Sequence, residues 1–269
     1  MPDHLYTEED GLFIPTAETG SPWSETAQHG GPVNALFMRA AERAAAVAGL
    51  RVTRLSVDIL KPVPLTPLRL QAEFIRQGRR LAIFDGSLAR TDDGAPVAVM
   101  RAVLLKAHPD QAANFPPPAH HPPGPVDMPR RQLVSDERRA GGPPGFHLCI
   151  DIRHGGPGDS PITWLTWPHD LIGGETVTPA QRCAAMCDLT TVVSGRIHKS
   201  PPGAWDNTQF FNMLNTDTTV HLFRPAVGEW FGFADSFIAD HQGTGVAEVT
   251  LYDAEGCLGR SVQTAASNA

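Results

Sequence analysis

Apolar and polar positions follow the same order twice along the chain. The run Asn215-Thr216-Asp217-Thr218-Thr219-Val220-His221-Leu222-Phe223-Arg224-Pro225 is β-branched and apolar and closes on a basic residue and a proline, the pattern of a strand with a proline stop. Thr53-Arg54-Leu55-Ser56-Val57-Asp58-Ile59-Leu60-Lys61-Pro62 ends the same way, and the two prolines stand 163 positions apart. At nearly the same spacing, Asp92-Asp93-Gly94 and Asp253-Ala254-Glu255-Gly256 each lie between two strand-like runs. Upstream, Gly31-Pro32 opens an alanine-rich helical run ending at Gly49, and Thr178-Pro179 opens one ending at Gly195. Each half therefore predicts one helix followed by about four strands, and the chain reads as an internal duplication.

In the first half, Leu12, Phe13 and Ile14 predict an opening strand before a turn at Gly20-Ser21-Pro22. The helix carries a small-residue face, Ala40, Ala41, Ala44, Ala45 and Ala48, suited to close packing on a sheet. Strands are predicted over 51–61, 68–76, 81–90 and 97–106, separated by short turns as in an antiparallel meander. Proline and glycine clusters then make 107–145 a linker, stiff in its proline runs. The second half predicts strands over 146–153 and 162–167, followed by a helix with Thr178 as cap, Pro179 in the first turn and Gln181 to complete a capping box. Asp188 falls in the middle of that helix, and strands follow over 215–223, 229–239, 245–252 and 257–265. The expected organisation is an α+β chain with repeats over 1–106 and 146–269 joined by the linker 107–145.

Composition narrows the class. The formal charge of −7 and a pI near 5.8 exclude the concentrated basic face that a nucleic-acid partner needs. No apolar run approaches the ~20 residues of a membrane span, and Met1 to Gly11 is acidic, so a cytoplasmic protein without a membrane partner is expected. Four cysteines in 269 residues do not make a disulfide scaffold. Cys183 and Cys187 are spaced one helical turn apart without a further donor, and His120-His121 has no partner at ligand spacing, so no metal is expected. A G-x-S-x-G elbow is absent, and Gly243-Thr244-Gly245 lacks the strand-turn-helix setting of a dinucleotide site.

Candidate chemistry lies where the halves differ. The 163-residue offset pairs Asn215 with Val52 and Gln263 with Met100, and aligning the helices on Pro32 and Pro179 pairs Asp188 with Ala41. Three polar groups thus replace apolar ones in one copy only. Such groups are costly to bury alone. If they converge they satisfy one another and hold a water, with Asp188 as general base and Asn215 and Gln263 orienting and polarising it. If they do not, they are a partly exposed carboxylate and two edge-strand amides. His29-Gly30-Gly31-Pro32 carries two readings as well. Paired glycines let backbone N–H groups reach a ligand at a helix N-terminus, and they equally allow that helix to pack tightly on a sheet.

Trp23 with His29-Gly30-Gly31, the strand 216–225 and the tail Tyr252-Asp253-Ala254-Glu255-Gly256-Cys257-Leu258-Gly259-Arg260-Ser261-Val262-Gln263 together resemble the acyl-CoA thioesterase II (TesB-like) double-hotdog family of the thioesterase-like superfamily. The resemblance covers nearly the whole chain apart from the linker. It implies two fused hotdog folds, each wrapping a sheet around a helix, and hydrolysis of an acyl-CoA thioester to a carboxylic acid and free CoA. No cofactor is implied, CoA being part of the substrate. Asp188 and Gln263 match the family's Asp and Gln, while its Thr or Ser position falls on Asn215, a departure from the hydroxyl pattern. Gly30 and Gly31 become the candidate oxyanion donors beside His29, and Trp164 and Trp230, with Trp167, Phe210 and Phe211, candidate walls of an acyl pocket. Two other readings fit the resemblance: a non-catalytic acyl-thioester binding protein, and a hotdog hydratase or dehydratase, for which His29 is the obvious partner of Asp188. Fusion makes a monomer feasible, and exposed outer strands offer edges for a homodimer or higher homo-oligomer.

Overall fold

The computed structural model describes residues 3–111, 113–117, 121–157, 160–201, 204–207 and 213–267. His120, Phe210 and Phe211 lie outside them. The first half runs β1 (His4–Glu9), β2 (Leu12–Pro15), a 3₁₀ turn (Ala17–Thr19), β3 (Gly20–Ser21), β4 (Ser24–Gln28), α1 (Gly30–Ala48), β5 (Arg51–Ile59), β6 (Leu68–Gln77), β7 (Leu81–Arg90) and β8 (Pro96–Leu105). The second runs β9 (Arg130–Arg131), α2 (Asp136–Gly141), α3 (Phe146–Cys149), β10 (Asp151–Gly155), β11 (Ile162–Thr166), β12 (Asp170–Ile172), α4 (Pro179–Cys187), α5 (Thr190–Lys199), β13 (Met213–Asn215), β14 (Asp217–Leu222), β15 (Phe231–His241), β16 (Thr244–Asp253) and β17 (Gly256–Ser267).

The duplication is a physical symmetry. β5 and β14 pair antiparallel in the middle of one continuous sheet, in the order β6-β7-β8-β5-β14-β17-β16-β15. Ser56 stands opposite Thr219, and their hydroxyls are hydrogen-bonded at 3.1 Å across 163 positions. Equivalent residues of the two repeats therefore meet, and a pseudo-twofold axis passes between them. The spacing shortens to 161 by the last strand, because Val57 faces Met100 on β8 while Val220 faces Ser261 on β17. Structurally, Gln263 replaces Ala102, two positions from the residue a constant offset selects. The parity is unchanged, so the side chain still points inward.

Helix α1 begins at the cap His29 and ends at Gly49 in the left-handed region (φ 63°), where the Leu50 N–H returns to the Ala45 carbonyl at 2.9 Å. Its partner helix differs from the expectation. The run from Pro179 breaks after Cys187, with Asp188 at the junction and Leu189 near the bridge region (φ −91°, ψ 5°). Consecutive β-branched threonines explain the break, since the Thr190 hydroxyl takes the Cys187 carbonyl at 2.8 Å in place of a backbone N–H. Two strands also differ. Residues 146–149 form α3 before β10 starts at Asp151, and Thr216 interrupts the strand expected from Asn215 onward.

The proline-rich segment packs as part of the second repeat. Arg130 and Arg131 pair with β10, and the indole N–H groups of Trp164 and Trp205 donate to the carbonyls of Pro123 and Gln132, each at 2.9 Å. His154 on β10 is buried between this segment and Trp205, with Nδ1 2.9 Å from the Thr163 hydroxyl. Burial and then the charge of Arg131 push its pKa from 6.5 down to about 4, against a bond to the Ala204 carbonyl that raises it. Between these two values the unfolded chain binds a proton that the folded chain does not, so stability is complete above pH ~6.5 and falls with acidification. The free energy of unfolding by urea should drop between pH 7 and pH 5, by roughly 1–2 kcal/mol for this residue, and His154→Gln should flatten that slope.

Candidate active site

A cavity of about 560 Å³ opens between the repeats. Trp23, Gln28, His29, Gly30, Ile59 and Val63 come from the first repeat, and Asp188, Val192, Met213 and Asn215 from the second. Leu133 and Val134, from the proline-rich segment, close one wall. The lining is mostly apolar by area, with polar groups among it that include Asp188, His29 and Asn215, the usual composition of a small-molecule site.

Asp188 is the centre of those polar groups. It is 6% exposed and accepts from both repeats: Asn215 Nδ2 donates to Oδ1 at 2.8 Å, and His29 Nδ1 lies 2.7 Å from Oδ2. The Gly31 N–H also approaches His29 Nδ1, at 3.3 Å. Nδ1 cannot accept from Gly31 and donate to Asp188 at once. The shorter contact decides, because an unprotonated Nδ1 at 2.7 Å from a carboxylate oxygen sets lone pair against lone pair; the Nδ1–H donates to Asp188. That bond fixes the ring and frees Nε2.

Helix geometry explains the placement. Asp188 sits where α4 ends and directly against the start of α1, whose N-terminal end favours negative charge. A Cβ on Gly30 would lie 2.4 Å from Asp188 Oδ1, and one on Gly31 would lie 2.5 Å from Phe146 and 2.9 Å from the Ala185 carbonyl. Both glycines are thus required by close packing, and for Gly30 what packs against it is the carboxylate itself. Close packing is the reading this geometry carries, with Asp188, Phe146 and the end of α4 as the partners in place of a sheet.

Gln263 is fully buried, and its amide is engaged by protein on all sides. The Thr191 N–H and hydroxyl both donate to Oε1 at 2.8 Å, and Nε2 donates to the Asp188 carbonyl at 3.0 Å and to Thr218 Oγ1 at 2.8 Å. The backbone donor at Thr191 fixes which amide atom is oxygen. With two donors and two acceptor sites used, Gln263 holds the α4–α5 break and leaves nothing for a water, which corrects the expectation that it polarises one. Thr191 and Thr218 were not singled out in the sequence. A threonine three residues after a candidate base, and one whose side chain lies on the same strand face as the glutamine, were the available signals.

Trp164 and Trp230 are not brought to the cavity. Trp164 is buried with Met128, Ile162, Ala234 and Tyr252, and Trp230 packs on that group and under Arg153. Trp167 is fully buried behind the site, edge-on to Phe146, which in turn packs on His29 at 5.4 Å. β11 turns the Trp164 indole into that cluster under the proline-rich segment, and apart from Trp23 the apolar lining of the cavity is aliphatic. Leu133-Val134, an apolar pair in otherwise polar and proline-rich surroundings, was the readable sign of it. The four cysteines are free thiols. No helix among the described residues is long and apolar enough to cross a membrane.

Comparison with known proteins gives consistent results. Residues 19–105 match the profile of the acyl-CoA thioesterase N-terminal domain, and residues 109–267 that of the acyl-CoA thioesterase C-terminal domain. No curated protein matches significantly. Among solved structures, a candidate thioesterase from Novosphingobium aromaticivorans superposes with a TM-score of 0.68 at 22% identity, covering 98% of this chain and 99% of that one. A protein from Alicyclobacillus acidocaldarius described as having a hot dog fold gives 0.67 at 15%, covering 99% and 97%. An acyl-CoA thioesterase II from Mycobacterium marinum gives 0.63 at 16%, covering 97% and 93%.

Replacing Gln263 with Leu should leave the Asp188 carbonyl, the Thr191 N–H and two hydroxyls unpaired. At about 1–3 kcal/mol per stranded group, with partial relaxation, the expected loss is roughly 3 kcal/mol or more by denaturant unfolding. Gln263→Glu should cost less, since the retained oxygens still receive Thr191.

Proposed function

The chain belongs to the acyl-CoA thioesterase family, a tandem hotdog and a thioester hydrolase, and from that premise we propose that it hydrolyses an acyl-CoA at the Asp188–His29–Asn215 cluster without a cofactor. The observation that carries the proposal is the convergence of His29 from one repeat with Asp188 and Asn215 from the other on one cavity.

The acyl chain lies along the aliphatic part of the lining, with its thioester carbonyl beside Asp188 and His29. The Asp188–His29 pair takes a proton from water as the water oxygen attacks the carbonyl carbon, and Asn215 keeps the carboxylate in place. Charge on the resulting oxyanion faces the N-terminal end of α1, where the Gly30 and Gly31 N–H groups are the nearest backbone donors. Collapse breaks the C–S bond and expels the CoA thiolate. The proton held by the pair returns to sulfur, giving a carboxylic acid and a free thiol. In this scheme the amide at 215 acts on the carboxylate, so it needs no hydroxyl of its own.

The His29–Asp188 contact also favours a second reading. A hydratase or dehydratase uses a carboxylate and an imidazole in one site, and this site holds both, side by side. The two reactions separate cleanly by product: hydrolysis releases thiol, whereas hydration adds water to an enoyl thioester and leaves the C–S bond intact.

Thiol release should be measured over acyl-CoAs of increasing chain length, with product masses recorded for enoyl-CoAs. Wild type should release thiol, and Asp188→Asn should lower turnover by about 10²–10⁴-fold with the fold retained by circular dichroism. Water addition without thiol release would establish the second reading. Binding without either reaction would make the protein a carrier of acyl thioesters.

A further inference from the structure

Behind the cavity, three side chains from distant parts of the chain meet. Glu18 lies in the 3₁₀ turn, Cys149 ends α3, and His169 precedes β12. A carboxylate oxygen, the Sγ and an imidazole nitrogen all lie within 4.8 Å of one another. Glu18 is 5% exposed, yet it makes no ion pair among the described residues. The hydrogen bond its carboxylate receives comes from Cys149, Sγ to Oε2 at 2.8 Å. His169 makes no side-chain hydrogen bond among the described residues. Arg139, whose charge reaches Cys149, donates instead to the Leu148 carbonyl at 3.5 Å.

A carboxylate withdrawn from water without a cation lacks the partner that makes its burial tolerable. We propose that Glu18, Cys149 and His169 bind a divalent transition metal of the zinc class, with a fourth position left for water. One sulfur, one nitrogen and one oxygen donor suit such an ion, whereas magnesium and calcium take oxygen ligands. Burial and the neighbouring carboxylate keep the Cys149 thiol protonated without an ion. Metal binding displaces that proton to solvent and forms the thiolate bond. Tetrahedral bonds of about 2.3 Å to sulfur and 2.0 Å to oxygen set those donors roughly 3.5 Å apart, so Glu18 and Cys149 must separate by a fraction of an ångström. The ion takes no part in hydrolysis. It clamps the turn before Ser21–Trp23, whose Thr19 carbonyl receives the His29 N–H at 2.8 Å, to α3 and to the β11–β12 loop.

The test is titration of chelator-stripped, full-length protein with Co²⁺ and Zn²⁺ alone. One equivalent of Co²⁺ should produce a near-ultraviolet thiolate-to-cobalt band, one equivalent of Zn²⁺ should survive desalting, and Cys257→Ser should change neither. Cys149→Ser should abolish the band, and His169→Gln should weaken metal affinity by tenfold or more. Should Cys149→Ser fail to fold, His169→Gln decides, since that side chain anchors nothing else. Absence of stoichiometric binding, or binding equal to wild type in these variants, overturns the proposal.

Discussion

A single buried carboxylate constrains the arrangement around it. Asp188 is nearly sealed from water, so its charge is tolerable only where donors and a favourable field meet it. Two parts of the chain meet these requirements: Asn215 with its amide, and the start of α1 with the imidazole of its cap His29 and its N-terminal end. Gly30 is fixed by the same demand, because any larger residue would occupy the carboxylate's place. The break between α4 and α5, made by the Thr190 hydroxyl on the Cys187 carbonyl, lies at the same place. There the Asp188 carbonyl accepts from Gln263, which the Thr191 N–H and hydroxyl hold in turn.

A carboxylate on α1 meets the facing helix as well, although it stands one position past Ala41, the residue aligned with Asp188. Opposite the start of α4, Glu42 of α1 receives the Thr178 hydroxyl and the Gln181 side-chain N–H, both at 2.8 Å. A carboxylate therefore sits at the head of the facing helix in both repeats. In one copy it is taken up by the capping box and has no imidazole beside it. In the other it faces the cavity with His29 at its side. Chemistry is confined to one end of the dyad because capping consumes the acid at the other.

Much of this was legible in the sequence, for identifiable reasons. The proline-stopped strands and the Asp-Gly turns are backbone signals, and they fixed the repeat, the strand positions and the polar replacements at Asp188, Asn215 and Gln263. What the sequence hid depends on distance in three dimensions. A capping threonine and an amphipathic run cannot reveal that Thr190 will capture the Cys187 carbonyl and end the helix early. Nor can the presence of Gln263 show that all its valences are used within the protein. Trp164 and Trp230 were misplaced because aromatic content alone does not tell which face of a strand meets the cavity, and the aliphatic wall came from a proline-rich stretch that reads as a connector.

The hydrogen bond between Ser56 and Thr219 lies on the axis that relates the repeats. Two identical subunits meeting along such a strand would carry every substitution twice, once on each side of the interface. Joining them in one polypeptide removes that coupling. A buried acid can then be introduced on one side while its counterpart is kept for a structural bond, and the penalty of burying it falls once per molecule. The covalent link thus does more than hold two sheets edge to edge: it lets the halves differ, one supplying the acid and the other the imidazole of a single site.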